Sequence, residues 1–173
     1  MSHGYELPFG RGKQLFSNAD RFTNALLGGW QMQGILIFRS GVPFTPTVSR
    51  DVANTGVGGQ RPTRIGSGEL ESPTLERWFD VSAFAVAPNF TYGNSGLRIL
   101  YPDIVRTIDF SMFKNFQITE GSRLQFRWEV FNLPNTPSFA APASVVDVPA
   151  TAGRVTATST DPRQMQVALK FTF

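Results

Sequence analysis

Arg163-Gln164-Met165-Gln166-Val167-Ala168-Leu169-Lys170-Phe171-Thr172-Phe173 closes the sequence and decides how the rest is read. Every second residue, Met165, Val167, Leu169, Phe171 and Phe173, falls on one face. Gln164, Gln166, Lys170 and Thr172 fall on the other, with Ala168 among them. A period of two is the signature of a strand with one apolar face. The segment is also as long as the roughly 9–11 tilted residues that carry a β-strand across a bilayer.

The same alternation recurs upstream. In residues 123–133, Leu124, Phe126, Trp128 and Val130 point one way and Arg123, Gln125, Arg127 and Glu129 the other. In residues 106–116, Ile108, Phe110 and Met112 are read as outward and Thr107, Asp109 and Ser111 as inward. Residues 29–39 place Trp30, Met32, Leu36 and Phe38 on one side with Gly34 in their row, and Gln31, Gln33 and Arg39 opposite with Ile35 and Ile37. Residues 2–8 alternate weakly until Pro8, Gly10 and Gly12 break the pattern.

Between these strands the connections differ in length. Residues 13–28 read as a moderate connection in which Asn24-Ala25-Leu26-Leu27 forms one helical turn before Gly28-Gly29. Thr119-Glu120-Gly121-Ser122 reads as a tight turn. Residues 41–104 and 134–161 carry no sustained period and read as long loops. The first is expected to be mostly irregular, with short hairpin pieces near 78–87, and to hold no fold-defining core. Up-and-down strands with turns on one side and long loops on the other suit a membrane barrel. The expected fold class is all-β: about five antiparallel strands forming an open stretch of transmembrane barrel wall. With the C-terminus on the periplasmic side, Trp30, Phe116 and Phe173 fall near one interface, where barrels carry aromatic girdles.

Composition agrees with strands and loops. The 173 residues include 16 Gly, 12 Pro and 16 Phe, and only 17% are charged. The absence of cysteine excludes disulfides, thiolate metal sites and Cys nucleophiles. A net charge of +3 on scattered basic residues gives no nucleic-acid footprint. Parity also separates Arg123 and Arg127 from Phe126 and Trp128, whereas single-strand platforms combine cations and aromatics in one groove. No charged segment followed by an apolar run opens the chain, so no signal peptide is read there. A barrel protein must be exported, and the expectation is therefore that these residues are the tail of a longer protein.

Several pieces, in order, resemble a known family. They are Tyr5-Glu6-Leu7-Pro8-Phe9-Gly10-Arg11-Gly12-Lys13, Leu27-Gly28-Gly29-Trp30-Gln31 and Ser40-Gly41-Val42-Pro43-Phe44. Trp78-Phe79-Asp80 with Ala83-Phe84, and Tyr92-Gly93-Asn94, follow. Asp109-Phe110-Ser111-Met112-Phe113-Lys114-Asn115-Phe116 and Arg127-Trp128-Glu129-Val130-Phe131-Asn132 complete the set. Together they are similar to the C-terminal barrel of Oar-like TonB-dependent receptors, common in Acidobacteria and relatives, and the final strand resembles the C-terminal signal of bacterial outer-membrane barrels. The resemblance implies a parent barrel of about 22 strands around a plug. Residues 1–173 would supply the C-terminal part of that barrel without plug or energy-coupling box. It further implies outer-membrane lipid as surroundings, the barrel-assembly machinery as reader of the strand ending at Phe173, TonB as a partner only through the absent plug, and ligand uptake as the parent's function.

No catalytic, cofactor or metal site is expected, and the chain is not read as an enzyme. His3 is the only histidine and would have to serve any Ser-His-Asp triad; a lone histidine at the start of a chain reads as a surface residue. Asp109 and Glu129 fall on inward faces of adjacent strands, where the choice is an acid–base pair or a lumenal charge network with Arg127; the network is expected. Gly56-Val57-Gly58-Gly59 lacks the Lys-Ser/Thr and the strand–helix context of a phosphate loop. The competing function is a soluble all-β surface module, for instance carbohydrate-binding, because sandwiches also bury one face of each sheet. The open edges and bare apolar row of the barrel reading predict that residues 1–173 alone do not form a stable soluble monomer.

Overall fold

The computed structural model describes residues 1–173. They divide into two compact units. One comprises Met1–Phe38, Arg106–Thr136 and Asp161–Phe173; the other comprises Arg39–Val105 and Pro137–Thr160.

The first unit is built on a five-stranded sheet. Its strands are β1 (Ser2–Glu6), β2 (Trp30–Arg39), β5 (Val105–Gln117), β6 (Arg123–Phe131) and β7 (Gln164–Thr172), in the order β1-β2-β5-β6-β7. The pairs β1–β2, β5–β6 and β6–β7 are antiparallel. All five expected strands are present, and β1 and β7 are open edges. The register sets equivalent residues side by side: Met112 with Trp128 and Val167, and Phe116 with Leu124 and Phe171. Paired residues share a face, so the apolar rows of three strands merge into one.

The turn between β5 and β6 is as tight as expected, closed by a 2.9 Å hydrogen bond from the Ile118 N–H to the Ser122 carbonyl. The β1–β2 connection holds more helix than the single turn expected. Helix α1 spans Arg21–Leu27, and the Asp20 carboxylate accepts the N–H groups of Phe22 and Thr23 at 3.0 and 3.3 Å. That N-cap starts the helix a turn early, because it supplies acceptors for donors the helix itself leaves open.

The second unit overturns one expectation. It is irregular, as read: its regular pieces are β3 (Thr63–Arg64), β4 (Phe84–Ala85) and a 3-10 turn at Val81–Ala83. Yet it contains the hydrophobic core. Val48, Val52, Phe79, Ala83, Phe84, Ala87, Leu100 and Val146 are buried together. Phe79 is 1% exposed, with the Phe44 and Phe84 rings at 5.6 and 6.0 Å. Burying one such ring stabilises by roughly 1.5–3 kcal/mol. The two loops meet where the Thr47 N–H reaches the Ser144 carbonyl and the Val146 N–H reaches the Thr47 carbonyl, each at 2.9 Å. These apolar residues arrive singly from between turns, so they leave no period in the sequence. Two glycines are required by the packing: a Cβ on Gly93 would stand 2.1 Å from the Arg61 carbonyl oxygen, and Gly68 has φ +80 and lies against the Phe84 ring.

Candidate functional site

The sheet presents two chemically opposite faces. On the polar face, Glu129 of β6 is the hub. Its Oε1 accepts from Arg127 Nη2 at 2.8 Å and from Ser111 Oγ at 3.4 Å. Its Oε2 accepts from Gln166 Nε2 at 2.5 Å. These residues come from β6, β5 and β7, and the register explains the meeting, because Glu129 pairs with Ser111 on one side and Gln166 on the other. Gln125 Nε2 donates to Asn115 Oδ1 at 3.0 Å further along the face. Arg127 Nε is buried without a partner.

Asp109 and Glu129 are engaged separately. Asp109 Oδ1 accepts the Asn132 N–H at 2.9 Å and so holds the chain where it leaves β6. Glu129 accepts from three donors, and the arrangement is the charge network with Arg127, not a pair of carboxylates sharing a proton.

The opposite face carries Phe110, Met112 and Phe116 of β5, Leu124, Phe126, Trp128 and Val130 of β6, and Met165, Val167, Leu169 and Phe171 of β7. Trp30 meets Phe126 edge-on at 5.9 Å, and Phe110 meets Trp128 at 6.0 Å. No part of the chain covers the row on β7: Leu169 is 68% exposed and the terminal Phe173 is 94% exposed. Trp30 and Phe116, expected near one interface, both meet the Lys114 ammonium, with ring centroids 5.5 and 4.9 Å from Nζ. Phe171 is in register with Phe116 through Leu124, and Phe173 packs beside it at 5.8 Å.

Lys114 is the residue that sequence reading passed over. Parity places it two positions after Met112, on the apolar face, facing Phe126. Counting the outward row one step further would have found a cation where every neighbour is apolar.

In the loop unit, carboxylates organise the backbone. Asp51 accepts from Thr55 N at 3.0 Å, Gly56 N at 2.6 Å and the Gln60 side-chain amide. The Thr55 backbone hydrogen bond, foremost, holds its carboxyl below the usual range. Gly56 thus turns its N–H toward the chain's own carboxylate, and Gly56 and Gly59 take positive φ values of 76 and 70 that suit glycine in a turn. Asp80 is likewise lowered, first by the Ser82 hydroxyl and then by Arg77. For Asp147, burial pushes upward, but the Ser49 N–H and hydroxyl at 2.8 and 2.7 Å outweigh it and the net shift is down. A cleft of about 320 Å³ opens among Glu69, Trp78, Leu100, Tyr101 and Asp103. His3 is exposed in β1, paired with Gly34.

Residues 1–166 match the family described as an outer membrane beta barrel domain. The chain belongs to that family. Nothing matches it among curated proteins or among solved structures. As an outer membrane beta barrel domain it is a structural part of an outer-membrane barrel, and its five-stranded sheet of alternating strands is consistent with that architecture. No helix is long and apolar enough to cross a membrane.

Proposed function

We propose that this chain forms the C-terminal wall of an Oar-like TonB-dependent receptor, an integral barrel of the Gram-negative outer membrane that takes up a ligand. The observation that carries the reading is the uncovered row Met165, Val167, Leu169 and Phe171 backed by the Glu129 network on the other face. A row of large apolar side chains is at rest against acyl chains, and a hydrogen-bonded polar face is at rest against a watery lumen. Membership in the barrel family and the ordered motifs from Tyr5 to Asn132 support the same reading. In it the strand ending at Phe173 is what the barrel-assembly machinery reads, and TonB engages the plug of the parent. The chain itself is non-catalytic, and the loop unit with its Trp78–Tyr101 cleft offers the ligand a first contact.

The soluble binding-module alternative requires a second sheet packed over Phe126 and Trp128, and the five strands form one sheet. Sequencing the gene upstream of the codon for Met1, together with fractionation of cells expressing the whole gene, tests the proposal. An in-frame signal peptide and plug, with the product in the outer-membrane fraction, is the expected result. A soluble product without a plug contradicts it.

A further inference from the structure

Lys114 poses a problem that the barrel reading alone leaves open. It is 3% exposed, and its Nζ is buried without any hydrogen-bond partner. An ammonium held away from water without an anion is strongly unfavourable, so such groups are paired in a finished structure. The rings of Trp30 and Phe116 supply cation–π attraction at 5.5 and 4.9 Å, which offsets only part of the lost hydration.

The counter-charge is not supplied by the strands. Across β2, β5, β6 and β7 no side chain of the apolar row is a carboxylate: β2 contributes Trp30, Met32, Gly34, Leu36 and Phe38, and the nearest residues in register on the other side are Phe126 and Leu169, then Met112 with Trp128, and Phe116 with Leu124. Nor do further barrel strands reach it. β5 is the central strand of five, so any strand added beyond β1 or β7 lies three strands away. That is about 14 Å at the usual strand spacing, and side chains stand roughly perpendicular to the sheet. The partner must therefore come from whatever covers the face.

We propose that Lys114, framed by Trp30 and Phe116, is a binding site for the phosphate headgroup of an anionic phospholipid in the bilayer around the barrel. This rests on the membrane-wall reading above. Lys114 lies three residues from the end of β5, about 10 Å along the strand, at the end where Phe116, Leu124 and Phe171 align. That aromatic end has the composition of a membrane–water boundary, where Trp and its like settle. The Lys114 Nζ lies over the Trp30 and Phe116 rings; swinging its four-carbon stem past them carries the ammonium to that boundary, where the anion is the lipid phosphate.

The test uses the whole protein reconstituted in nanodiscs of phosphatidylcholine with a minor fraction of phosphatidylglycerol, released gently and examined by native mass spectrometry for retained lipid. Flotation with the same lipids is measured in parallel. Wild type and Lys114→Arg are expected to retain phosphatidylglycerol, and Lys114→Met to retain it about tenfold less, the loss of one charge-assisted hydrogen bond. Lys114→Gln guards against a folding defect peculiar to the Met variant and should behave like it. Glu120→Gln, altering the carboxylate of the β5–β6 turn, should retain lipid like wild type. Equal retention by wild type and Lys114→Met, or equal retention of phosphatidylcholine and phosphatidylglycerol by wild type, overturns the headgroup site while flotation leaves the barrel reading standing. An effect of Glu120→Gln matching that of Lys114→Met assigns the counter-charge to the protein and also overturns it. Failure of wild type to float takes both readings down.

Discussion

The sheet unit and the loop unit satisfy the same physical demands by opposite means. In the sheet, ladders from Arg123 to Phe131 and from Gln164 to Thr172 pair the backbone, while the apolar side chains of β7 stay uncovered. In the loops, two two-residue strands are nearly all the regular pairing, yet Phe79, Val48 and Leu100 are sealed from solvent. Loop backbone groups are met instead by carboxylates such as Asp51 and by scattered turns. Regular structure and burial are therefore separable. The sheet pairs its backbone while leaving an apolar row bare, and the loop unit is folded around itself.

The sharpest way to break that contrast is to empty the loop core. Phe79→Ala should lower the stability of the loop unit by about 3–5 kcal/mol, the usual penalty for deleting a buried Phe. Limited proteolysis should then cut within 41–104 while residues 123–131 keep their hydrogen-exchange protection. Simultaneous loss of protection in β6 would show that the two units do not fold independently.

A charge on the sheet tests the other half. Leu169→Lys should disfavour assembly in a bilayer by about 2–4 kcal/mol if the position lies near the midplane, whereas Gln166→Lys on the polar face should change it little. Folding titrations into vesicles read the difference. Equal effects at the two positions would mean that β7 does not separate lipid from water.

The smallest expected effect is one of pH. Asp51, Asp80 and Asp147 all have carboxyls lowered in the folded loop unit. A lowered folded pKa means that the contribution is complete above the ordinary value near 3.8 and is lost as pH falls through the folded value. Loop proteolysis should therefore rise as pH falls below about 4, read with an acid-tolerant protease, and Asp147→Asn should flatten that rise. A loop unit indifferent to pH in this window would remove these carboxylates from the account.

How much of this was legible follows from the same contrast. Strands announce themselves by parity, so the rows from Leu124 to Val130 and from Met165 to Phe173 could be read directly; parity also sets Arg127 beside Glu129 on one strand, and the register then brought Glu129 to Ser111 and Gln166. Long loops were legible as irregular chain. Their core was not, because Val48, Phe79, Leu100 and Val146 are tens of residues apart and share no period. Helix α1 was under-read because its start depends on the Asp20 cap rather than on an apolar face. Lys114 was legible by parity alone, but its isolation was not, since only the packing reveals that no acceptor reaches Nζ.

The most direct test of the central claim, that one face of the sheet meets lipid and the other water, is a spin-label scan of β7 in the reconstituted protein. The chain has no cysteine, so each single Cys substitution from Gln164 to Thr172 is the sole labelling site in these residues. Accessibility to oxygen, which concentrates in lipid, should peak at Met165, Val167, Leu169 and Phe171. Accessibility to a water-soluble nickel chelate should peak at Gln164, Gln166, Ala168 and Lys170. Two profiles out of phase with a period of two are the predicted result; two profiles rising and falling together, or both flat along the strand, would contradict the account.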